Sequence, residues 1–129
     1  MQTYIFIIDD DPIFRRITVK MISKLDKEFF IIKECEDGEI GIKELERLSN
    51  SEERIIIFLD INMPVLNGWE FLDKLIQNEN YNIKDVRVFI VSSSTDKIDI
   101  IKAQNYPLVK QFIHKPMDLI TIKAIVSEL

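Results

Sequence analysis

The stretch IFLDINMPVLNGWEFL, residues 57–72, joins two patterns that do not ordinarily meet. The apolar run Ile55-Ile56-Ile57-Phe58-Leu59 has the length and composition of a buried strand, yet it ends on the carboxylate of Asp60. Asn62, Pro64 and Gly68 then break the pattern before Phe71 and Leu72 open a helical one. A charge at the rim of a core is costly to desolvate, so Asp60 needs either a partner or a chemical task.

Strand-like runs of the same kind recur along the chain. Tyr4 to Ile8 ends on Asp9-Asp10-Asp11. Asp11 can cap a helix that tolerates Pro12 in its first turn, and Phe14, Ile17, Met21 and Leu25 supply the apolar stripe of that helix. Phe29 to Cys35 reads as a second strand and Asp37-Gly38 as a turn, followed by a helix with Gly41 or Ile42, Leu45 and Leu48 on its apolar side. The polar residues 49–54 lead into the third strand. Phe71, Leu72, Leu75 and Ile76 mark the third helix, and Val86 to Val91 the fourth strand, with Ser92-Ser93-Ser94 just after it. A fourth helix, from about Asp96 to Gln104, is short and rich in β-branched residues, and we expect it to be mobile. Val109 to His114 is the fifth strand, closed by Lys115-Pro116. Leu119, Ile122, Ile125, Val126 and Leu129 face the last helix inward. Five strand–helix units in succession predict an α/β fold, a parallel sheet covered by helices.

With 129 residues, of which 47% are hydrophobic and 30% charged, the chain suits one globular domain, residues 1–129, with no room for a large output module. The net charge of −5 and the absence of any basic cluster argue against direct nucleic-acid binding. The longest uninterrupted apolar run has five residues, too short for a membrane span, and a cytoplasmic location is expected. Cys35 is the one cysteine, which leaves an internal disulfide and a cysteine-based metal cluster without ligands. His114, also alone of its kind, reads as a surface or pairing residue, and Trp69 and Phe71 read as helix packing.

Ligand sites of open parallel sheets lie beyond the carboxyl ends of the strands. That rule gathers Asp9, Asp10, Asp60, Ser92 and Lys115 at one edge. If the first and third strands are neighbours, about 4.8 Å apart, their carboxylates repel by roughly 3 kcal/mol at an effective dielectric of about 20. A cation is the natural counterpart, and an all-oxygen set suits Mg²⁺, or Mn²⁺ in its place. Asp60 can also serve as a nucleophile, because a carboxylate oxygen can attack phosphorus and form an acyl phosphate. Lys115 would then neutralise oxygen charge and the Ser92 hydroxyl would donate to another oxygen.

The segments FIIDDDP, FLDINMPVLNG, IVSSS and FIHKP, in this order and spacing, resemble the receiver domain of two-component response regulators, the CheY-like family. The resemblance extends over essentially the whole chain. It implies a doubly wound (βα)5, flavodoxin-like fold with strand order 2-1-3-4-5. Asp60 would be the phosphoacceptor, supplied by a phosphohistidine of a sensor histidine kinase or histidine phosphotransfer protein. Mg²⁺ would be held by Asp10, Asp60 and the backbone carbonyl of Asn62, with Asp9 acting through water. Ser92 would be the switch hydroxyl, Lys115 the phosphate-binding lysine and Phe112 the switch aromatic. The bond before Pro116 is often cis in relatives, and Asn62 and Ser94 correspond to positions that tune acyl-phosphate lifetime.

The protein expected from this resemblance is a stand-alone regulator. It would be no enzyme beyond its own phosphorylation and dephosphorylation, and it would signal through a downstream protein or a phosphorylation-dependent dimer. Two alternatives share the Asp nucleophile. One is a relay intermediate that passes the phosphoryl group to a second histidine protein. The other is a haloacid-dehalogenase-type phosphohydrolase, which would want an Asp where Asn62 stands.

Overall fold

The computed structural model describes residues 3–25, 30–48, 53–77 and 85–127. Five strands, β1 (Thr3–Ile8), β2 (Phe30–Cys35), β3 (Arg54–Leu59), β4 (Asp85–Ser92) and β5 (Val109–His114), alternate with five helices. These are α1 (Pro12–Ser23), α2 (Gly38–Glu46), α3 (Gly68–Gln77), α4 (Lys97–Ala103) and α5 (Leu119–Ser127). The strands form one parallel sheet of order β2-β1-β3-β4-β5. The expected fold and strand order are therefore those observed.

Alternation along each strand divides the core in two, because successive side chains point to opposite faces of a sheet. Phe6, Ile8, Ile55, Ile57, Leu59, Val88 and Ile90 pack with Leu45, Phe71, Leu72, Leu75 and Ala103 under α2, α3 and α4. Ile5, Ile7, Ile56, Phe58, Phe89, Val91 and Ile113 pack with Ile22, Ile122, Ile125 and Val126 under α1 and α5. Cover on both faces explains why the central strands are almost wholly apolar rather than alternating.

Several boundaries shift for local reasons. Asp37 and Gly38 do not form a free turn. The Asp37 carboxylate accepts the Ile40 N–H at 2.9 Å and caps α2, with Gly38 as its first residue. Asp96 and Gln104 likewise cap α4 rather than lie within it. Ser92 is the last residue of β4, paired with His114, not the first residue beyond the strand. Asp11 caps α1 as expected, with Pro12 in the first turn.

Three stripe residues face outward. Ile17 is 51% exposed and Thr18 and Ile22 are buried in its place, Ile76 on α3 is 45% exposed, and Leu119, the first residue of α5, is 36% exposed ahead of the buried Ile122, Ile125 and Val126. The stripe on α1 is thus rotated by one residue. The hydroxyl of Thr18 can enter it because it donates to Phe14 O at 2.8 Å and leaves only its methyl to pack. The expectations for Phe29, residues 49–52 and Leu129 fall outside the described residues.

Candidate functional site

The strand order reverses at β1, since β2 lies on one side of it and β3 on the other. The carboxyl ends of β1 and β3 therefore border the crevice where such folds bind ligands. In register, Ile8 pairs with Leu59, so the next residues, Asp9 and Asp60, emerge side by side. Asp60 N donates to Ile8 O at 2.9 Å and Asp9 N to Cys35 O at 3.0 Å, fixing both backbones.

Asp9, Asp10 and Asp60 each offer a carboxylate oxygen within 4.8 Å of the others. Asp9 and Asp60 are buried, at 1% and 6% exposure, whereas Asp10 faces solvent. The Asp9 Oδ1 accepts the Asp11 N–H at 2.9 Å. Its Oδ2 lies 2.8 Å from Lys115 Nζ, and although it is fully buried it receives no hydrogen bond of good geometry. The Lys115 ammonium also sits 4.5 Å from the centre of the Phe14 ring, which shields it from water on that side.

The Asp60 carboxyl is pushed up from 3.8 to about 6, first by burial and then by the charge of Asp9. Lys115 and the Asn62 N–H, which reaches Asp60 Oδ1 at 3.3 Å, act in the opposite direction. Lys115 pairs with Asp9 Oδ2, but one lysine does not balance three clustered carboxylates, two of them buried. The donor set is all oxygen, so these residues fit a hard divalent cation such as Mg²⁺ or Mn²⁺.

The loop after Asp60 is held tightly. Gly68 N donates to Ile61 O at 3.1 Å, and a Cβ at Gly68 would stand 2.7 Å from both Asp60 O and Ile61 Cα, so only glycine lets α3 approach the loop this closely. Val65 takes a left-handed φ of 68°, a strained conformation for a β-branched residue. Asn67 and Glu70 cap α3 reciprocally, at 2.9 and 3.0 Å.

On the far side, Ser92 is fully buried and its Oγ accepts the Ser94 N–H at 3.0 Å. Lys115 N donates to Ser92 O at 2.9 Å, tying the ends of β4 and β5 together, and the Lys115-Pro116 bond is cis. Phe112 is half-buried, pairs with Ile90 in register and meets the exposed His114 ring edge-on at 5.5 Å. Asn62 is exposed. Asp9, Asp10, Asp60 and Lys115 thus form one cluster, Ser92 ends the neighbouring strand, and Phe112 lies further along β5.

Sequence reasoning passed over Arg15, whose Nη1 donates to Asp9 O at 2.6 Å and whose Nε lies 3.3 Å from Glu34 Oε1. The available signal was spacing. A residue one turn after the Asp11 cap can reach back to the end of the preceding strand, and Glu34 stands just before Cys35 at the end of the next one.

The family description "Response regulator receiver domain" matches residues 5–127. The chain belongs to the response regulator receiver domain family. It is 37% identical over 93 residues to the transcriptional regulatory protein DegU of Brevibacillus brevis, covering 72% of this chain and 36% of that protein. It is 33% identical over 99 residues to the nitrate/nitrite response regulator protein NarL of Escherichia coli K12, covering 77% of this chain and 42% of that protein. The aligned part is thus well under half the length of these two regulators. Chemotaxis protein CheY1 of Helicobacter pylori is 24% identical, with 87% of this chain and 84% of that one aligned. The crystal structure of a two component response regulator from Cytophaga hutchinsonii superposes with a TM-score of 0.83 at 27% identity, covering 98% of this chain and 96% of that one. Among the described residues no helix is long and apolar enough to cross a membrane.

Proposed function

We propose that residues 1–129 act as one receiver domain in which Asp60 is the phosphoacceptor of a two-component phosphorelay. The observation that carries this reading is the Asp60 carboxylate itself. It is buried at a strand end, next to Asp9 and Asp10 and on the same edge as a lysine that already faces Asp9. Family membership supports the same assignment.

In the proposed reaction an Asp60 oxygen attacks the phosphorus of a phosphohistidine on a sensor kinase or phosphotransfer protein. The new bond is O–P, the P–N bond breaks, and the histidine leaves with its electron pair and takes up a proton. Mg²⁺, or Mn²⁺ in its place, held by Asp10, Asp60 and the Asn62 carbonyl with Asp9 acting through water, would neutralise charge on the phosphoryl oxygens when bound. In this reading the Lys115 ammonium, 2.8 Å from Asp9 Oδ2, keeps its charge and exchanges that partner for a phosphoryl oxygen. Phosphorylation turns the Ser92 hydroxyl from the Ser94 N–H toward the phosphoryl group, and Phe112 moves into the space behind it. The altered α4–β5–α5 face then passes the signal to a downstream protein or a second copy of the chain, in the cytoplasm. The only chemistry catalysed is phosphorylation and dephosphorylation of Asp60 itself.

Intact mass spectrometry after incubation with Mg²⁺ and a small-molecule phosphodonor tests the assignment. The native chain gains one phosphoryl group of about 80 Da, while Asp60→Asn, and the native chain in EDTA, gain none. An adduct that survives in Asp60→Asn refutes it. For the switch, an unchanged Phe112 ring environment in NMR spectra of the phosphorylated form refutes the proposed movement.

A further inference from the structure

Arg15 is an unusual side chain for the first turns of a surface helix, because only 15% of it is exposed. Arginine is seldom buried without a specific use for its fork of donors. Here the fork spans two elements: Nη1 donates to the Asp9 carbonyl at 2.6 Å, and Nε faces Glu34 on β2 at 3.3 Å. The carbonyl that it holds belongs to the peptide joining Asp9 to Asp10.

The other polar groups of Asp9 are already engaged, its N–H by Cys35 O, its Oδ1 by the Asp11 N–H and its Oδ2 by the charge of Lys115. Asp10 differs. It is exposed, and among the described residues no hydrogen bond holds its carboxylate. Its side-chain torsions are unrestrained, so what brings it beside Asp60 is the position of its backbone, and Arg15 holds the carbonyl of the peptide that sets that position.

Resting on the receiver reading above, we propose that Arg15 is a positioning residue for the divalent cation. Paired in charge with the half-exposed Glu34, though without a hydrogen bond to it, it holds the Asp9–Asp10 peptide so that Asp10 and Asp60 converge. Mg²⁺ requires near-ideal octahedral geometry, so a misdirected carboxylate costs affinity, and loss of a group that orients metal ligands typically weakens binding about 10–100-fold.

Charge alone predicts the opposite. Removing a cation beside three carboxylates should tighten the binding of another cation, and replacing Arg15 by lysine should change nothing. A role confined to gluing α1 onto β2 would lower thermal stability in EDTA and leave cation affinity untouched.

The test measures Mn²⁺ binding by electron paramagnetic resonance and Mg²⁺ binding by calorimetry for the native chain, Arg15→Met and Arg15→Lys. Half-saturation of phosphodonor labelling is followed as a function of Mg²⁺. Both variants are expected to raise the dissociation constant about tenfold or more, with the labelling rate restored toward native at saturating Mg²⁺. An unchanged or tighter dissociation constant in Arg15→Lys overturns the inference, and this variant decides the matter if Arg15→Met does not fold. A native chain that is labelled and binds Mn²⁺, beside an equally competent Arg15→Lys, refutes the role of Arg15 alone. A native chain that neither binds Mn²⁺ nor is labelled overturns the receiver reading and this inference with it.

Discussion

Helices α3 and α4 each follow a strand end that carries a site residue, Asp60 just after β3 and Ser92 as the last residue of β4, yet the chain secures them very differently. In α3, Phe71, Leu72 and Leu75 are fully buried, the N-terminus is closed by the Asn67–Glu70 box, and Gly68 lies against the Asp60 carbonyl. In α4, Ala103 is the one buried residue, Ile98 and Ile101 are 70% and 60% exposed, and the helix has seven residues. The contrast is what the proposed function would require. On that reading a phosphoacceptor has to be held in one place, because misplacing a reacting group is expensive. An element that changed position on phosphorylation would have to be held by little, because a switch works only between states of similar free energy.

The largest effect follows from the chemistry. Asp60→Asn removes the one carboxylate in the cluster that follows β3, and labelling should fall from one phosphoryl group to none by intact mass. Next comes packing. Phe71→Ala deletes a wholly buried ring on α3 and should cost about 3–5 kcal/mol in denaturant unfolding. Ile101→Ala on α4 should stay within about 0.5 kcal/mol, as exposed substitutions do. Similar costs for the two would break the contrast between the helices.

Gly68→Ala sharpens it. Gly68 opens α3, where the better helix propensity of alanine would by itself gain at most about 1 kcal/mol. Here the added Cβ would meet Asp60 O and Ile61 Cα at 2.7 Å, both of them backbone atoms that cannot swing aside. The sign should reverse to a loss of about 1–3 kcal/mol, with slower labelling because the Asp60 loop is displaced. A more stable, normally labelled variant would show that the loop is less firmly held than its contacts suggest.

Burial of Asp60 also makes stability depend on pH. Because its folded value is about 6 against the ordinary 3.8, the folded chain binds the proton more tightly than the unfolded chain does. Without a divalent cation, this contribution favours the fold below about pH 4 and is lost as the pH rises through about 6. Asp60→Asn lacks that loss. In EDTA, its stability advantage over the native chain should be larger at about pH 7.5 than at about pH 4.5, and equal advantages would mean that Asp60 is not desolvated in solution.

How legible all this was in the sequence depended on the range of the forces involved. The order of elements, the Asp11 cap and the convergence of Asp9, Asp10, Asp60 and Lys115 follow from periodicity and from the strand-end rule. The outward turn of Ile17 and Ile76 does not. Either could have been core by spacing alone, and the choice was made by how α1 and α3 roll against the sheet. The Asp37 cap was read as a turn because Asp-Gly signals both, and only the Ile40 N–H distinguishes them. Arg15 had only its spacing from the Asp11 cap as a signal, because its partner is a backbone carbonyl and every residue carries one.

The smallest expected effect concerns the seam between the two helices. Trp69 at the start of α3 stacks on Tyr106 at 5.7 Å, Lys102 of α4 lies 4.8 Å over its ring, and the Tyr106 hydroxyl donates to Asp73 at 2.9 Å. These contacts link the well-anchored helix to the loosely held one at a solvent-accessible edge, where each is worth a fraction of a kcal/mol. Tyr106→Phe removes the bond to Asp73 while keeping the stack, and should cost about 0.5 kcal/mol or less in denaturant unfolding. Trp69 is the one tryptophan of the chain, so its emission reports the seam directly. If phosphorylation moves α4, the emission should change on labelling in both native and Tyr106→Phe chains. A response missing from both would mean that α4 keeps its place on α3, and that a helix with little burial can nevertheless stay put when the site beside it changes charge.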